Sequence, residues 1–349
     1  MRVRKRQDGR WEGRLQIGRR RVSVYGRTRA EAEVRLARLR WGAVAPPRHG
    51  PRTVADLIWR WVETDGAAWR PSTRAKYAQL LQRWVLPYLG PVPLRRLGPD
   101  AVQVLLARIP GRARSQTWRL LHRLFVVAER WGFVAANPLR HLVPPAYRPE
   151  PRALPPLEAV RARLHQARED AWWPWVALAI STGLRPGEQA ALRWDDVDIT
   201  RGVLHVRRAG QYVGGAWVEG PPKTSAGARV VHLSPLGVRA LQRQRQASGG
   251  GGGGPAVGAA GAGGGLVFPG RRGQPLQASV INRHTRRLLG LSAHQLRHLH
   301  ASLALQAGVA VPVVARRLGH ASPSITLQIY AHAVGPDAHA AQAVEQLLA

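Results

Sequence analysis

Five short stretches in the second half of the chain carry side chains that could act together on one chemical group. In chain order they contribute Arg185 with Glu188, then Lys223, the run His-Gln-Leu-Arg-His at 294–298, His320, and Tyr330. Arginine forks onto anionic oxygen atoms, histidine gains or loses a proton near neutral pH, and tyrosine offers a phenolic nucleophile. Such a set can bind a phosphodiester, attack it and protonate the departing oxygen without a metal ion.

Lysine is rare in this chain. Lys5, Lys76 and Lys223 are the three lysines, and the other 50 of the 53 basic residues are arginine. We interpret the preference for arginine as coding bias in a GC-rich genome. Because arginine stays protonated where lysine can release a proton, a retained lysine can mark a site where a proton moves. Lys223, in the run Pro-Lys-Thr-Ser, is predicted to lie in a hairpin turn, and we favour it as a proton donor over a solvated surface charge.

The spacing within the stretches predicts how helices position them. Arg185 stands at a predicted helix start, with Glu188 one turn later and able to hold its guanidinium. His294, Arg297 and His298 follow the i, i+3, i+4 pattern that places residues on one helix face. The two histidines could also bind zinc, but no glutamate follows the first one, and the arginine between them disfavours a cation. We therefore expect no metal and no cofactor.

In this order the stretches resemble the signature of the tyrosine recombinases, the phage-type integrases. That signature is Arg, Lys, His-x-x-Arg, His or Trp, then Tyr, and it is matched here by Arg185, Lys223, His294, Arg297, His320 and Tyr330. The last four follow one another at spacings of 3, 23 and 10 residues, and the resemblance covers 157–334. The chain departs from the family pattern at Gln295, where an acidic residue is usual, and at Leu299-His300, where a threonine is common.

The resemblance implies a site-specific recombinase, an integrase of a phage or mobile element. Such an enzyme cleaves and rejoins DNA through a covalent 3′-phosphotyrosyl intermediate, without ATP or metal. Tyr330 would be the nucleophile, Arg185 and Arg297 would bind the phosphate oxygens, and Lys223 would protonate the 5′ oxygen.

The resemblance also gives roles to the remaining residues of the site. His294 and His320 would donate hydrogen bonds to the phosphate or carry the tyrosine proton. Glu188 and His298 would support the arginine and histidine side chains. The implied partners are double-stranded DNA attachment sites and three further copies of the chain, forming a tetramer and a Holliday junction. A host DNA-bending protein and a directionality factor are further candidate partners.

Three other functions compete with this interpretation. An inactive relative that only binds DNA would not need all six signature residues. A type IB topoisomerase shares the chemistry, but the basic N-terminal module and the Arg-x-x-Glu and Leu-Gly-His contexts favour the recombinase. A metal-dependent nuclease needs a carboxylate cluster. The one group of acidic residues in 151–349 that resembles two-metal ligands, Asp195, Asp196 and Asp198, has the pattern of a loop.

The composition agrees with a nucleic-acid partner. The 53 basic and 20 acidic residues give a net charge of +33, which indicates a polyanionic partner. The charge is spread, at +10 over 1–45, +11 over 46–150 and +12 over 151–349. Cysteine is absent, so disulfides and thiolate chemistry are excluded. No apolar run is long enough to span a bilayer, and no secretory signal is visible, which predicts a cytoplasmic protein located on DNA.

The elements that must position these residues fall into three predicted domains. Residues 1–45 predict strands over 10–25 and a helix capped by Thr28, a β-sheet-plus-helix module that resembles the arm-type DNA-binding domain of integrases. Residues 53–143 carry four apolar stripes at helical spacing and predict an all-α bundle, similar to the SAM-like core-binding domain.

Residues 152–349 predict the catalytic domain, mainly α with a small three-stranded antiparallel sheet (α+β). Helices are predicted near 157–167, 172–182, 186–194 and 235–247 and from 278 onward, and strands near 203–208, 216–219 and 229–233. Residues 248–265 hold 11 glycines and predict a flexible insertion. The tail from Pro336 predicts a short helix that docks on a neighbouring protomer or on its own domain.

Overall fold

The chain divides into two compact units, Met1–Pro151 and Arg152–Ala349. The computed structural model describes residues 3–17, 20–26, 50–147, 154–249 and 265–330. The predicted helix after Thr28, most of the glycine-rich insertion and the predicted tail helix lie outside the described residues. The sequence-based division into domains at 1–45, 53–143 and 152–349 stays a prediction.

The first unit begins with an antiparallel sheet in the order β1 (Val3–Lys5), β2 (Trp11–Ile17) and β3 (Arg20–Gly26). Glycine with φ of +80° at position 9 makes the turn between β1 and β2. Glu12 is buried in this sheet, where Arg14 and Arg4 hold its carboxylate at 2.8 and 3.0 Å. The hydrogen bond from Arg14 is the main cause that lowers the pKa of Glu12 to about 2. The strands predicted over 10–25 are confirmed.

The described residues 50–147 of the first unit form a helical bundle. Its helices are α1 (Val54–Thr64), α2 (Pro71–Leu80), α3 (Leu86–Leu89), α4 (Pro99–Ala107) and α5 (Gly111–Arg130). Thr53 caps α1 through a reciprocal pair of bonds with Asp56, as a capping box requires. The four predicted stripes supply the core, in which Trp61, Leu121 and Phe125 are fully buried. The all-helical prediction is confirmed.

One stripe of the bundle runs through an irregular turn. Residues Leu81–Val85 form a π turn that joins α2 to α3. Pro87 has no N–H to bond to the carbonyl four residues before it, and a π turn accommodates the chain ahead of such a residue. Leu81 and Val85 nevertheless stay fully buried, so the apolar spacing still marks the core.

The second unit is built around one helix that is buried on all sides. Its helices are α6 (Leu157–Gln166), α7 (Trp173–Thr182), α8 (Pro186–Ala190), α9 (Pro235–Gly249), α10 (Ala278–Leu289), α11 (Ala293–Gln306), α12 (Val311–Leu318) and α13 (Pro323–Tyr330). The apolar α7 packs against α9 and α11. These bounds confirm the predicted helices, except that α8 ends at Ala190 rather than at 194.

The strands of the second unit pair differently from the prediction. They are β4 (Val197–Asp198), β5 (Val203–Val206), β6 (Ala209–Val213), β7 (Ala216–Gly220) and β8 (Arg229–His232). The small three-stranded antiparallel sheet exists, but its order is β4-β5-β8, and the strand at 216–220 pairs with β6 in a separate hairpin. The predicted strand 203–208 is cut short because the chain leaves the sheet after Val206 to enter that hairpin.

The connection that carries Lys223 also differs from the prediction. It leaves β7 in the hairpin and enters β8 in the three-stranded sheet, so it links two sheets and is not a hairpin turn. A 3-10 turn over Ser225–Gly227 shapes it. Gly227 lets the chain fold back on Pro222, because a Cβ at Gly227 would lie 2.4 Å from the proline Cβ.

Within the described ranges, none of the helices combines the length and apolar character needed to cross a membrane.

Candidate active site

Arg185 and Glu188 are fixed together at the start of α8. Pro186 begins the helix, and Arg185 precedes it in an extended conformation. Glu188 accepts hydrogen bonds from the Arg185 backbone N–H at 2.9 Å and from Nη1 at 2.7 Å. The arginine side chain remains 38% exposed while the carboxylate is buried. The predicted pairing of arginine and carboxylate is thus present, and it leaves one face of the guanidinium open.

Arg297 is held inside the second unit by backbone oxygens. It lies on α11 and is only 3% exposed. Its Nη1 donates to the Gly183 oxygen at 2.8 Å, and its Nη2 donates to the Leu318 oxygen at 2.7 Å. Gly183 ends α7 with φ of +66°, and a Cβ there would lie 2.5 Å from His300 Cδ2. Close packing at this glycine therefore brings its carbonyl to the arginine.

The turn at 318–320 brings the two arginines together. Arg185 Nη2 donates to the Gly319 oxygen at 3.0 Å, next to the Leu318 oxygen that Arg297 uses. Gly319 ends α12 with φ of +67°. A Cβ at this position would lie 2.9 Å from both the Ala226 oxygen and Arg229 Nη1. The Leu-Gly-His run is thus the point where four distant segments meet.

Arg229, at the start of β8, joins this group. Its guanidinium donates to Glu188 at 3.0 and 3.3 Å, to the Arg317 oxygen at 2.6 Å and to the Gly227 oxygen at 2.9 Å. Its side chain is 6% exposed. Burial raises the pKa of the Glu188 carboxyl, but hydrogen bonds and charge from Arg229 and then Arg185 outweigh this, and the pKa lies below its ordinary value. Glu188 is therefore an anion that holds two arginines.

Lys223 is exposed on the connection between β7 and β8. Two contacts tie this connection to the arginine site, namely the bond from Arg229 to the Gly227 oxygen and the close approach of Ala226 to Gly319. The structure therefore brings the lysine-bearing segment to the Leu-Gly-His turn.

Two histidines flank Arg297 on α11. The rings of His294 and His298 meet edge to face, with their centroids 4.6 Å apart. Burial, followed by the charges of Arg297 and Arg185, lowers the pKa of His294. Burial, followed by His294 and Arg297, lowers the pKa of His298 to about 4. Both rings lie on the arginine face of the helix, as the i, i+3, i+4 spacing predicts, and His298 is neutral at pH 7.

His320 follows the glycine turn and faces the helix that ends at Tyr330. Its Nδ1 lies 2.7 Å from Thr326 Oγ1. Burial, followed by the charges of Arg297, Arg185 and Arg229, lowers the pKa of His320 to about 4. Tyr330 is the last residue of α13, and the position of its side chain lies outside the described part of the chain.

The two departures from the family pattern have local explanations. Gln295 completes the cap of α11, because its Oε1 accepts from the N–H of Ser292 at 3.0 Å and from its Oγ at 2.8 Å. His300 bridges two elements, with Nδ1 2.7 Å from the Ile180 oxygen and Nε2 3.1 Å from Arg317 Nε. Both residues stabilise the scaffold beneath the site.

Comparison with known proteins now identifies the family. The family model described as the phage integrase family matches residues 157–335, just over half of the 349-residue chain. The chain belongs to this family. This integrase is therefore a tyrosine recombinase, an enzyme that breaks and rejoins DNA in site-specific integration.

Relatives match along most of the integrase. An integrase of Streptomyces ambofaciens is 26% identical over 334 residues, covering 89% of this chain and 84% of the relative. The solved Tn1549 transposon integrase, in complex with a circular intermediate DNA, superposes with a TM-score of 0.70 at 19% identity, covering 86% of this chain and all of that one. The lambda integrase tetramer bound to a Holliday junction gives 0.59 at 17% identity, covering 94% of each chain. These structures share the fold of the integrase.

The integrase carries an excess of positive charge at this site. The guanidiniums of Arg185 and Arg229 share the Glu188 carboxylate, and that of Arg297 bonds the Leu318 oxygen next to the Gly319 oxygen that Arg185 uses. Among the described residues, Glu188 is the one carboxylate bonded to this group. No group of three or more His, Cys, Asp or Glu in the described ranges could hold a metal ion. The arginines therefore outnumber the carboxylates at this site.

Sequence reasoning missed the role of two residues of the integrase. Arg229 ends the stretch that contains Lys223, and its position at a strand start gave no sign that it binds Glu188. Thr326 lies between His320 and Tyr330, and nothing in the sequence indicated its hydrogen bond to His320. Both residues lie close in sequence to a residue that matches the family signature, and this proximity was the one signal that could have pointed to them.

Proposed function

We propose that the integrase cleaves and rejoins double-stranded DNA attachment sites through a covalent 3′-phosphotyrosyl intermediate. The observation that carries this proposal is the convergence of Arg185 and Arg297 on adjacent carbonyls of one turn, directly before His320. Two forked cations fixed side by side match the two non-bridging oxygens of a phosphodiester. The backbone and Glu188 hold them before DNA arrives, so little reorganisation accompanies the reaction.

The histidines act as neutral groups until phosphate binds. With a pKa of about 4, His320 is uncharged at pH 7 and can still donate one hydrogen bond. A bound phosphate places a negative charge near this ring and near His294. The anion raises both pKa values toward the ordinary range of histidine, so that a ring can accept a proton later in the reaction.

The proposed covalent step uses Tyr330, Lys223 and a histidine. The phenolic oxygen of Tyr330 attacks the phosphorus, and the bond to the 5′ oxygen breaks. Lys223 supplies the proton that the departing 5′ oxygen takes up, and the tyrosine proton passes to a histidine. Rejoining is the reverse, since a 5′ hydroxyl of a second strand attacks the phosphotyrosine and releases Tyr330. The phosphoester energy is retained in the adduct, so neither ATP nor a metal takes part.

The assembly proposed around this site is a tetramer on two DNA duplexes. Its support is the shared fold with the lambda integrase tetramer on a Holliday junction and with the DNA-bound Tn1549 integrase. The N-terminal sheet would bind arm-type sites and the bundle would bind the core site, with the catalytic domain at 152–349. A DNA-bending protein of the host and a directionality factor complete the proposed set of partners.

A nicked suicide substrate tests the covalent mechanism. The substrate carries an attachment site, and the reaction contains EDTA. We expect a covalent protein–DNA band with the wild-type chain and none with Tyr330→Phe. Absence of the band in the wild type, or an unchanged band in the variant, overturns the mechanism.

A sulfur substitution tests the role of Lys223. Lys223→Ala should slow cleavage of the normal substrate about 100-fold or more. It should hardly slow cleavage of a substrate with a 5′-bridging sulfur, because a thiolate leaves without a proton. Lys76→Ala, in the other unit, is the control and should affect neither substrate. Equal loss on both substrates would remove the proton-donor role.

A further inference from the structure

Thr326 lies between His320 and Tyr330, two residues of the proposed reaction. It lies on α13, one helical turn before Tyr330, and it is fully buried. Its Oγ1 is 2.7 Å from Nδ1 of His320, which lies outside that helix. The helix that carries the nucleophile is therefore bonded directly to the histidine after the glycine turn.

The direction of this hydrogen bond follows from the surroundings of the hydroxyl. A buried hydroxyl hydrogen needs an acceptor, and inside a helix it commonly takes the carbonyl four residues earlier. Among the described residues, the one hydrogen bond formed by the Thr326 side chain is that to His320. Thr326 therefore donates, and Nδ1 of His320 accepts.

A neutral imidazole has one nitrogen that donates and one that accepts. We infer that Thr326 is a positioning residue that fixes His320 with its hydrogen on Nε2, so that the ring presents an N–H to the phosphate oxygens. This inference rests on the proposed function, in which His320 contacts the phosphate. The low pKa of His320 agrees with a neutral ring, for which the choice of tautomer matters.

The opposite tautomer would work against the reaction. With the hydrogen on Nδ1, the ring would turn a lone pair toward an anionic oxygen, and the contact would be repulsive. Because Thr326 belongs to the helix that ends at Tyr330, the donor form is set when that helix is in place. The same hydrogen bond thus links the position of the helix that ends at Tyr330 to the tautomer of His320.

His300 provides the natural contrast within the same unit. Its Nδ1 lies 2.7 Å from the Ile180 oxygen, which can only accept, and its Nε2 faces Arg317 Nε, which can only donate. His300 therefore carries its hydrogen on Nδ1. The protein holds two neutral histidines in opposite tautomers, each chosen by its partner.

Nitrogen-15 NMR of the full chain with labelled histidine tests the tautomers directly. The His320 signals are assigned by their loss in His320→Gln. We expect an Nε2-protonated ring for His320 and an Nδ1-protonated ring for His300 in the wild type. Thr326→Val should abolish the preference at His320, Thr326→Ser should keep it, and His300 should not change. An Nδ1-protonated His320 in the wild type overturns the inference without any variant.

The suicide-substrate assay tests the consequence for the reaction. Thr326→Val should slow adduct formation about 10- to 100-fold, and Thr326→Ser should stay within about threefold of the wild type. In a His320→Ala background, Thr326→Val should add no further loss. A further loss of the same size there would show that Thr326 acts elsewhere and would overturn the inference. A wild-type chain that forms no adduct would refute the proposed function, while the NMR result would still decide the tautomer.

Discussion

The bundle of the first unit and the candidate active site of the second use arginine in opposite ways. On α5, Arg112, Arg123 and Arg130 are exposed, while the interior beneath them is apolar. In the second unit, Arg229 and Arg297 are buried and bound to backbone carbonyls. The same residue type thus provides exposed surface charge in the bundle and fixed hydrogen-bond donors in the second unit.

The difference shows what burial adds to a positive charge. An exposed arginine attracts a polyanion, but its long side chain must be ordered when it binds. A buried arginine has already lost its water and its freedom, and the carbonyls and Glu188 offset that loss. Burial therefore fixes the N–H donors of an arginine in place before the ligand binds. A reaction at one phosphate requires donors that are fixed in this way.

The largest effect is expected from Arg297→Lys, which keeps the positive charge and removes the forked guanidinium. We expect covalent adduct formation to slow by about 10³-fold, because a lysine cannot reach both the Gly183 and Leu318 carbonyls. Arg123→Lys on the bundle surface is the matched control and should change the rate less than about twofold. Equal effects of the two substitutions would contradict the distinction between fixed and exposed arginines.

Glu188→Gln tests the anion that holds the buried arginines. Removing its charge leaves Arg229 buried without a counter-ion, and we expect the free energy of unfolding of the second unit to fall by about 3 kcal/mol. Glu219→Gln is the control, since Glu219 pairs with Arg193 and Arg208 at 3.4 and 3.8 Å and is partly exposed. It should lower stability by less than about 1 kcal/mol. Urea denaturation of the full-length variants gives both values.

The neutral histidines of the second unit predict a pH dependence of stability. His298, His300 and His320 have folded-state pKa values of about 4, well below the value of 6.5 that a free histidine has. As pH falls from about 6.5 to about 4, the unfolded chain takes up protons that the folded chain does not.

Stability of the second unit should therefore decrease over this pH window, by at most about 1.4 kcal/mol per pH unit for each histidine. Denaturation of the wild type between pH 7 and pH 4 measures the slope. His300→Gln should reduce it, and a stability that is flat or rises as the pH falls would show that these rings are charged in the folded protein.

The smallest effect is expected from a single exposed arginine. Arg123→Ala should weaken DNA binding less than about tenfold at moderate salt and lower the slope of log K against log salt by about 0.9. The rate of adduct formation from DNA already bound should not change. Binding titrations at several salt concentrations measure the slope, and an unchanged slope would show that Arg123 contacts no phosphate.

Much of the fold could be predicted because its signals are local. The apolar stripes of the bundle mark the buried faces of helices, and the cap at Thr53 and Asp56 is a local pattern. Strand pairing is different, since the sequence shows where a strand lies but not which partner it takes. The structure was therefore needed to show that the strand at 216–220 pairs with β6, and that the connection carrying Lys223 runs from one sheet to another.

The candidate site also has features that local sequence predicts and features that depend on contacts between distant segments. Its signature residues stand in recognisable runs, and the family match spans 157–335. Arg229 could not be assigned, because it binds a carboxylate 41 residues earlier and a carbonyl 88 residues later. The low pKa values of the histidines also depend on arginines from other segments.

Gly319 has a consequence for recognising inactive copies of this enzyme. A residue with a Cβ at this position would crowd the Ala226 oxygen and Arg229, and few residues other than glycine readily adopt its φ of +67°. A mutated copy would then retain every residue of the catalytic signature yet lose the turn on which both arginines depend.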